Sequence, residues 1–399
     1  MISSANPTRR HARRANLISS HTMVTIMRGA NISMKEIESL KIRQYLPGDE
    51  VQIIPLLKIP FPNYGSTAPL DYWRWKHQNP SFQTSIIVVA ENRGRIIGCD
   101  HNPILNIKVG NGVFTSSVGN DLAVHPDFRN KGVYTSMRKL LWTLNEKNSV
   151  KFQFNWTHNP IMVKHVRKFG TRPRHTFPFQ VKSLLWIGDV NLHYRMNARR
   201  TALILKFGLK VVRFVNRTIW NFRREHQRQE LLISEVSSFD ARINEFWREV
   251  STQYNFIIER KQDYLNWRYS NLMIGEHTIQ QAEENGKIVG YCILSIDRQN
   301  KNYPSGQIVD LLVLPDKPYI VDSLLAEVIK YFVSKGVNVS NALIVSGHPY
   351  SKIFKKRGFV GRKTKVHIGY IDNGIEKDVE KLATGPVSRV HICYGDVSI

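Results

Sequence analysis

Apolar positions recur at helical spacing in one long stretch, where Val133, Met137, Leu140, Leu141 and Leu144 predict a helix over 133–147. Just before it, the run 118–124 ends in alternating apolar positions and reads as a strand, stopped by His125-Pro126-Asp127. A short basic turn, Arg129-Asn130-Lys131-Gly132, joins the two. Upstream, the pattern predicts a strand at 42–46, a helix after Pro47-Gly48 with Asp49 and Glu50 in its first turn, and a second helix carrying Tyr72-Trp73-Arg74-Trp75-Lys76. Strands at 85–91 and 95–99 flank Asn92-Arg93-Gly94 as a hairpin, and a further strand follows Gly110-Asn111-Gly112. Downstream come a strand at 150–156 and a helix over 159–168 ended by Gly170. The order is β-α-α-β-β-β-α-β-α-β.

Much of this pattern returns in the second half. Ala90-Glu91-Asn92-Arg93-Gly94-Arg95-Ile96-Ile97-Gly98 has a counterpart in Ala282-Glu283-Glu284-Asn285-Gly286-Lys287-Ile288-Val289-Gly290. Tyr72-Trp73-Arg74-Trp75-Lys76 recurs as Tyr264-Leu265-Asn266-Trp267-Arg268, and the stretch from Asp121 to Asp127 matches Asp310 to Asp316. Repeated matches in one order predict two copies of one α/β unit, at 41–187 and 231–373. A tail (1–40), a linker (188–230) and a C-terminal extension (374–399) complete the chain.

Length and charge narrow the partners. The chain has 399 residues, 42% of them hydrophobic, which suits two globular domains with their own cores. Its net charge of +25 points to anionic partners: a phosphorylated cofactor, RNA or an acidic membrane surface. Cys99, Cys292 and Cys393 form no CxxC pair, so neither a disulfide framework nor a zinc site is expected, and a reducing, cytoplasmic compartment is the default. Arg9, Arg10, Arg13, Arg14 and Arg28 precede the first acid, Glu36, which reads as a disordered basic tail or a late true start. No apolar run reaches the roughly 18 residues of a membrane span.

The basic turn carries the candidate chemistry. A glycine before a helix lets backbone come close to a ligand; first-turn N–H groups lack intrahelical partners, and the helix dipole, Arg129 and Lys131 add positive charge. That suits a pyrophosphate. There is no GxxxxGK[ST] and no GxGxxG. Arg129-Asn130-Lys131-Gly132-Val133-Tyr134 resembles the acetyl-CoA signature R-x-x-G-x-G/A of the GNAT superfamily of N-acyltransferases, with Tyr134 departing from the final small residue.

The resemblance implies two tandem GNAT-like domains, each a mixed, mostly antiparallel sheet flanked by helices, and direct acyl transfer from acetyl-CoA or another acyl-CoA to an amine on a small molecule or peptide. It implies that backbone at Leu122, Ala123 and Val124 holds the pantetheine arm, that the amides of Arg129, Asn130, Lys131, Gly132, Val133 and Tyr134 take the pyrophosphate, and that Asn159 also contacts the cofactor. No metal is implied. Aligned from Asp121 and Asp310, Arg129 falls on Pro318 and Gly132 on Val321, so the cofactor belongs to the first copy and the second is degenerate. For proton transfer, Asp121 and His125 flank the expected thioester. The family's helical tyrosine falls on Val166, which leaves His165 or Tyr134 as its substitute. Between the copies, Lys206, Lys210, Arg213 and Arg217 mark one face of a basic amphipathic helix within 195–228; it either packs between domains or docks on an anionic membrane, with RNA the other anionic partner. The competing functions are a Fem-like transfer from aminoacyl-tRNA and a non-catalytic acyl-CoA-binding protein of the same fold.

Overall fold

The computed structural model describes residues 39–66, 68–78, 84–157, 175–188, 231–270, 275–300, 302–364 and 366–397. The basic tail, the linker helix within 195–228, and the segment holding Asn159, His165 and Val166 lie outside the described residues. The first half contains β1 (Leu40–Gln44), α1 (Glu50–Lys58), α2 (Pro69–His77), β2 (Ile86–Asn92), β3 (Arg95–Asn102), β4 (Ile104–Val109), β5 (Gly112–Val118), β6 (Asn120–Val124), α3 (Val133–Lys147), β7 (Phe152–Thr157), β8 (His175–Thr176) and β9 (Val181–Ile187). The second contains β10 (Leu231–Val236), α4 (Arg242–Ser251), β11 (Phe256–Ile258), α5 (Gln262–Tyr269), β12 (His277–Glu284), β13 (Lys287–Asp297), β14 (Ser305–Val313), α6 (Pro318–Ser334), β15 (Val339–Val345), α7 (Tyr350–Lys356), β16 (Val360–Lys363), β17 (His367–Asp372), α8 (Glu376–Thr384) and α9 (Tyr394–Val397). These elements form mixed, mostly antiparallel sheets flanked by helices.

Strand β2 is apolar at successive positions because both its faces are covered. Val88 and Ala90 meet Val133, Met137 and Leu141 of α3. Ile87 and Val89 meet Ile53 and Leu57 of α1 and Trp73 of α2 on the other face. The two hairpins matched in sequence also match in backbone. Arg93-Gly94 and Asn285-Gly286 both take left-handed conformations, the pair that a two-residue turn between twisted strands requires. Each hairpin also carries a register shift just after its alanine, Ala90 or Ala282.

The run expected as one strand over 118–124 is broken. Gly119 separates β5 from β6, and Asp121 sits at φ +40°. Strand β5 runs parallel to β7 from Ser116 to Val118, and the Gly119 N–H donates to Phe154 O at 3.2 Å. Beyond that point β6 pairs, among the described strands, only with β3, as the edge of the sheet β1-β2-β3-β6. A wedge-shaped gap therefore opens between β6 and β7.

The two halves exchange strands, which periodicity alone does not reveal. Strand β9 pairs with β15 and β16 in the sheet β10-β12-β13-β14-β15-β9-β16, whereas β17 pairs with β7, and β11 with β4, in the sheet β11-β4-β5-β7-β17-β8. The largest apolar cluster accordingly joins Phe152 and Phe154 to Phe256 and Trp267. Where the helices meet, Trp75 Nε1 donates to Trp267 O at 3.1 Å and Trp267 Nε1 to Trp75 O at 3.0 Å. Their rings stack with centroids 5.2 Å apart. The aromatic run of α2 thus fills the core and the junction between halves.

Candidate active site

The turn before α3 is shaped for an anion. Asn130 (φ +61°) and Gly132 (φ +78°) are both left-handed, and such turns point successive N–H groups into one concavity. Gly132 is the N-cap of α3, no side chain caps the helix, and its first turn holds no acid. A Cβ built on Gly132 would meet nothing within 4 Å, so the space in front of the turn is open. The Lys131 ammonium is enclosed without a hydrogen-bond partner and lies 5.4 Å from the centre of the Phe128 ring. Arg129 Nε donates to Val124 O at 3.1 Å, tying the turn to the end of β6. The Arg129 N–H expected on the pyrophosphate is instead spent on Pro126 O at 3.2 Å, but the left-handed turn after it, its basic residues and the free space before Gly132 fit a pyrophosphate.

Leu122, Ala123 and Val124 line the free edge of β6, since its only partner among the described strands is β3. His125 stands at the far end of that edge, about 16 Å of strand from Asn120. Its Nδ1 accepts from the Asp127 N–H and its Nε2 lies 3.2 Å from Arg95. That is the end of the gap next to the basic turn.

Asp121 is almost fully engaged. Its Oδ1 accepts from Lys76 Nζ at 3.0 Å; Oδ2 accepts from Tyr64 OH at 2.8 Å and from His77 Nε2 at 2.9 Å. With Nε2–H so committed, His77 Nδ1 accepts the Ser85 hydroxyl at 2.9 Å. Burial alone would raise the Asp121 pKa, but Lys76 and His77 outweigh it and hold the carboxyl well below the usual range. Burial keeps His77 and His101 neutral, His101 being lowered to about 3. An anion so stabilised is a poor proton acceptor and a good anchor.

Replacing Asp121 by Asn should cost about 3–5 kcal/mol, because Lys76 then remains buried without its counterion. Asn tolerates the positive φ, so the backbone is not the cause. A depressed folded-state pKa contributes stability that is present above the unfolded carboxyl's value, near 4, and is lost as pH falls. The difference between the two proteins in urea unfolding should therefore shrink below about pH 4.

The second half repeats the anchor but not the turn. Asp310 accepts from Arg260 Nε at 2.8 Å, Tyr291 OH at 3.1 Å and His391 Nε2 at 2.9 Å. Thus a cation, a tyrosine and a histidine again surround the aspartate, drawn from other parts of the chain. Helix α6 begins at Pro318, with Val321 fully buried inside it, so helix occupies the positions of the basic turn. The parallel pairing of β14 with β15 stops at Ile308, and the C-terminal segment around Val390, His391, Ile392 and Cys393 lines the small cavity beyond. Asp310, His391 and Cys393 bring their ligand atoms within 4.8 Å of one another. A metal is disfavoured there because the Arg260 guanidinium bonds Asp310 and lies 3.5 Å from Cys393 Sγ. Burial also raises the Cys393 thiol pKa.

Sequence reasoning missed three groups: Lys76 and His77, which hold Asp121, and Asn155, at the apex of the gap. Lys76 was visible only as part of an aromatic-rich repeat. Asn155, alternating with Phe154 and Trp156 on the same face of β7 as Gln153, was a signal that went unread.

A sheet split by a gap that faces a helix N-terminus is the arrangement of the GNAT fold. Residues 41–173 match the family profile "Acetyltransferase (GNAT) domain", and the first half of the chain carries such a domain. Solved structures agree on the fold. A probable N-acyltransferase from Enterococcus faecalis aligns at TM-score 0.57 and 10% identity, over 86% of this chain and 74% of that one. A GCN5-related N-acetyltransferase from Anabaena variabilis aligns at 0.56 and 10%, over 83% and 72%. Saccharomyces cerevisiae N-myristoyltransferase with bound myristoyl-CoA aligns at 0.54 and 10%, over 86% and 81%. No curated protein sequence matches the chain. No helix among the described residues is long and apolar enough to cross a membrane.

Proposed function

We propose that the protein transfers an acyl group from acyl-CoA, with acetyl-CoA the expected donor, directly to an amine on a small molecule or peptide. The observation that carries this reading is the open edge of β6 ending in a turn whose left-handed Asn130 and Gly132 adjoin the unpartnered Lys131 ammonium. The turn and the first amides of α3 would hold the pyrophosphate, and Leu122 to Val124 the pantetheine arm. Acyl-CoA supplies an activated thioester carbonyl, and the chain supplies position, charge and exclusion of water. Asp121 serves as the anchor that fixes the kink in β6, not as the base. Asn159 and His165 keep their assigned roles as proposals, contacting the cofactor and protonating the departing thiolate. The second half holds no cofactor and supports the acceptor side.

The net charge of +25 favours one rival, an aminoacyl-tRNA donor. Calorimetric titration of the full chain with CoA, acetyl-CoA and bulk tRNA separates the two. Saturable one-to-one binding of both CoA compounds is expected. Tight tRNA binding with no heat from either CoA compound would overturn the assignment.

A further inference from the structure

Asn155 is the first residue of β7 past its last pairing with β5, so it stands at the apex of the gap where the two strands part. It is only 9% exposed, yet its Nδ2 has no hydrogen-bond partner. Its side chain lies over Gly119, where a Cβ would overlap Asn155 Oδ1. Any larger residue at 119 would push the amide away, so the glycine preserves the room this side chain occupies. Two residues earlier on the same face, Gln153 is bonded at both ends of its amide: its Nε2 donates to Asn102 Oδ1 at 2.7 Å and its Oε1 accepts from Arg138 at 3.1 Å. Arg138 also bonds Asp100 at 3.1 Å. These bonds hold the strand on the Asn102 and Arg138 side. The adjoining amide donor is left unused, and an unmade hydrogen bond at a buried N–H is costly enough to need a reason.

We propose that Asn155 donates its side-chain N–H to the carbonyl oxygen of the acyl thioester. This assignment rests on the reading that the β6–β7 gap takes the pantetheine arm, since that arm would carry its thioester to the apex. When an amine nitrogen bonds to the carbonyl carbon, the C=O π pair moves onto oxygen, and the Asn155 N–H meets a developing negative charge. The pair then returns and the C–S bond breaks, its electrons leaving with sulfur. A proton departs from nitrogen to solvent and one is taken up by the thiolate, so the net change is amine plus thioester to amide plus thiol. The same N–H bonds the neutral carbonyl weakly and the oxyanion strongly, which is the condition for lowering a barrier.

The test follows the carbonyl itself and needs no knowledge of the acceptor amine. Infrared spectra of carbonyl-labelled acetyl-CoA bound to the wild-type protein should show the thioester stretch shifted to lower frequency than in water-poor solvent. In Asn155→Leu, of similar size but without a donor, the shift should vanish. Calorimetry should show CoA affinity unchanged and the preference for acetyl-CoA over CoA reduced roughly fivefold, the equivalent of one net hydrogen bond. Asn155→Asp covers the case in which the leucine variant does not fold. It keeps the shape, and its carboxylate should raise the carbonyl frequency and weaken acetyl-CoA relative to CoA. A carbonyl band equally shifted in the wild type and in whichever variant folds overturns the role of Asn155 alone. A wild-type protein that binds no CoA overturns the pyrophosphate site and this inference together.

Discussion

Cutting the chain between residues 188 and 231 is expected to yield two pieces that do not fold separately and that assemble one to one when made together. The reason is the exchange of strands. Without its partner the first piece loses β17 from beside β7 and β11 from beside β4, and two bare strand edges invite aggregation. Phe152 loses Tyr370, stacked at 5.3 Å, and Phe154 loses Phe256 at 5.2 Å. The second piece loses β9, which separates β15 from β16 and pairs with both. Removing a central strand costs a full ladder on each side, well beyond the total stability of about 5–15 kcal/mol typical of a folded domain. Soluble expression and circular dichroism of each piece, alone and together, check this. A folded, monomeric first piece would show that the exchange is dispensable.

Gly132→Val should weaken CoA binding by about a hundredfold or more, the value of two lost charge-assisted hydrogen bonds. A branched side chain would project into the open space before the turn, where the pyrophosphate is proposed to sit. Such a residue also resists the left-handed backbone, at about 1–2 kcal/mol, so stability falls as well. Gly94 separates the two effects. It has φ +77° against +78° for Gly132, and its Cβ likewise meets nothing within 4 Å, but it lies in the β2–β3 hairpin. Gly94→Val should therefore lose similar stability and keep CoA affinity. Equal loss of affinity in both variants, measured by calorimetry with melting curves alongside, would mean that the turn is not the binding site.

The sequence was most informative where chemistry is local. Arg93-Gly94 and Asn285-Gly286 announce the hairpins because few residues accept paired left-handed conformations. Val133 to Lys147 announces α3 because a helix packed on one side repeats its apolar residues at helical spacing. The basic turn was legible for the same reason, since glycine, flanking cations and a following helix are neighbours in the chain. What stayed hidden depends on partners far away. A strand shows the same alternation whichever neighbour it joins, so nothing in residues 181–187 says that β9 completes the other half's sheet. Asp121 could be located on its strand but not given a role, because its anchoring depends on Tyr64, Lys76 and His77 arriving from elsewhere. The stretch 374–399 read as an extension, whereas it carries His391 and Asp396 into the second half's interior, onto Asp310 and Arg260.

The reciprocal bonds between Trp75 and Trp267 have a bearing on ancestry. Reciprocal bonds of this kind are what a local two-fold axis produces where the same residue of two like units meets itself, as in the isologous contacts of homodimers. A single ancestral unit that swapped its last strand with a second molecule would have met that molecule through this tryptophan. Duplication and fusion would then join the two subunits and make their pairing permanent. Once joined, the halves would no longer have had to obey one sequence, leaving selection free to keep the basic turn in one while helix took its positions in the other.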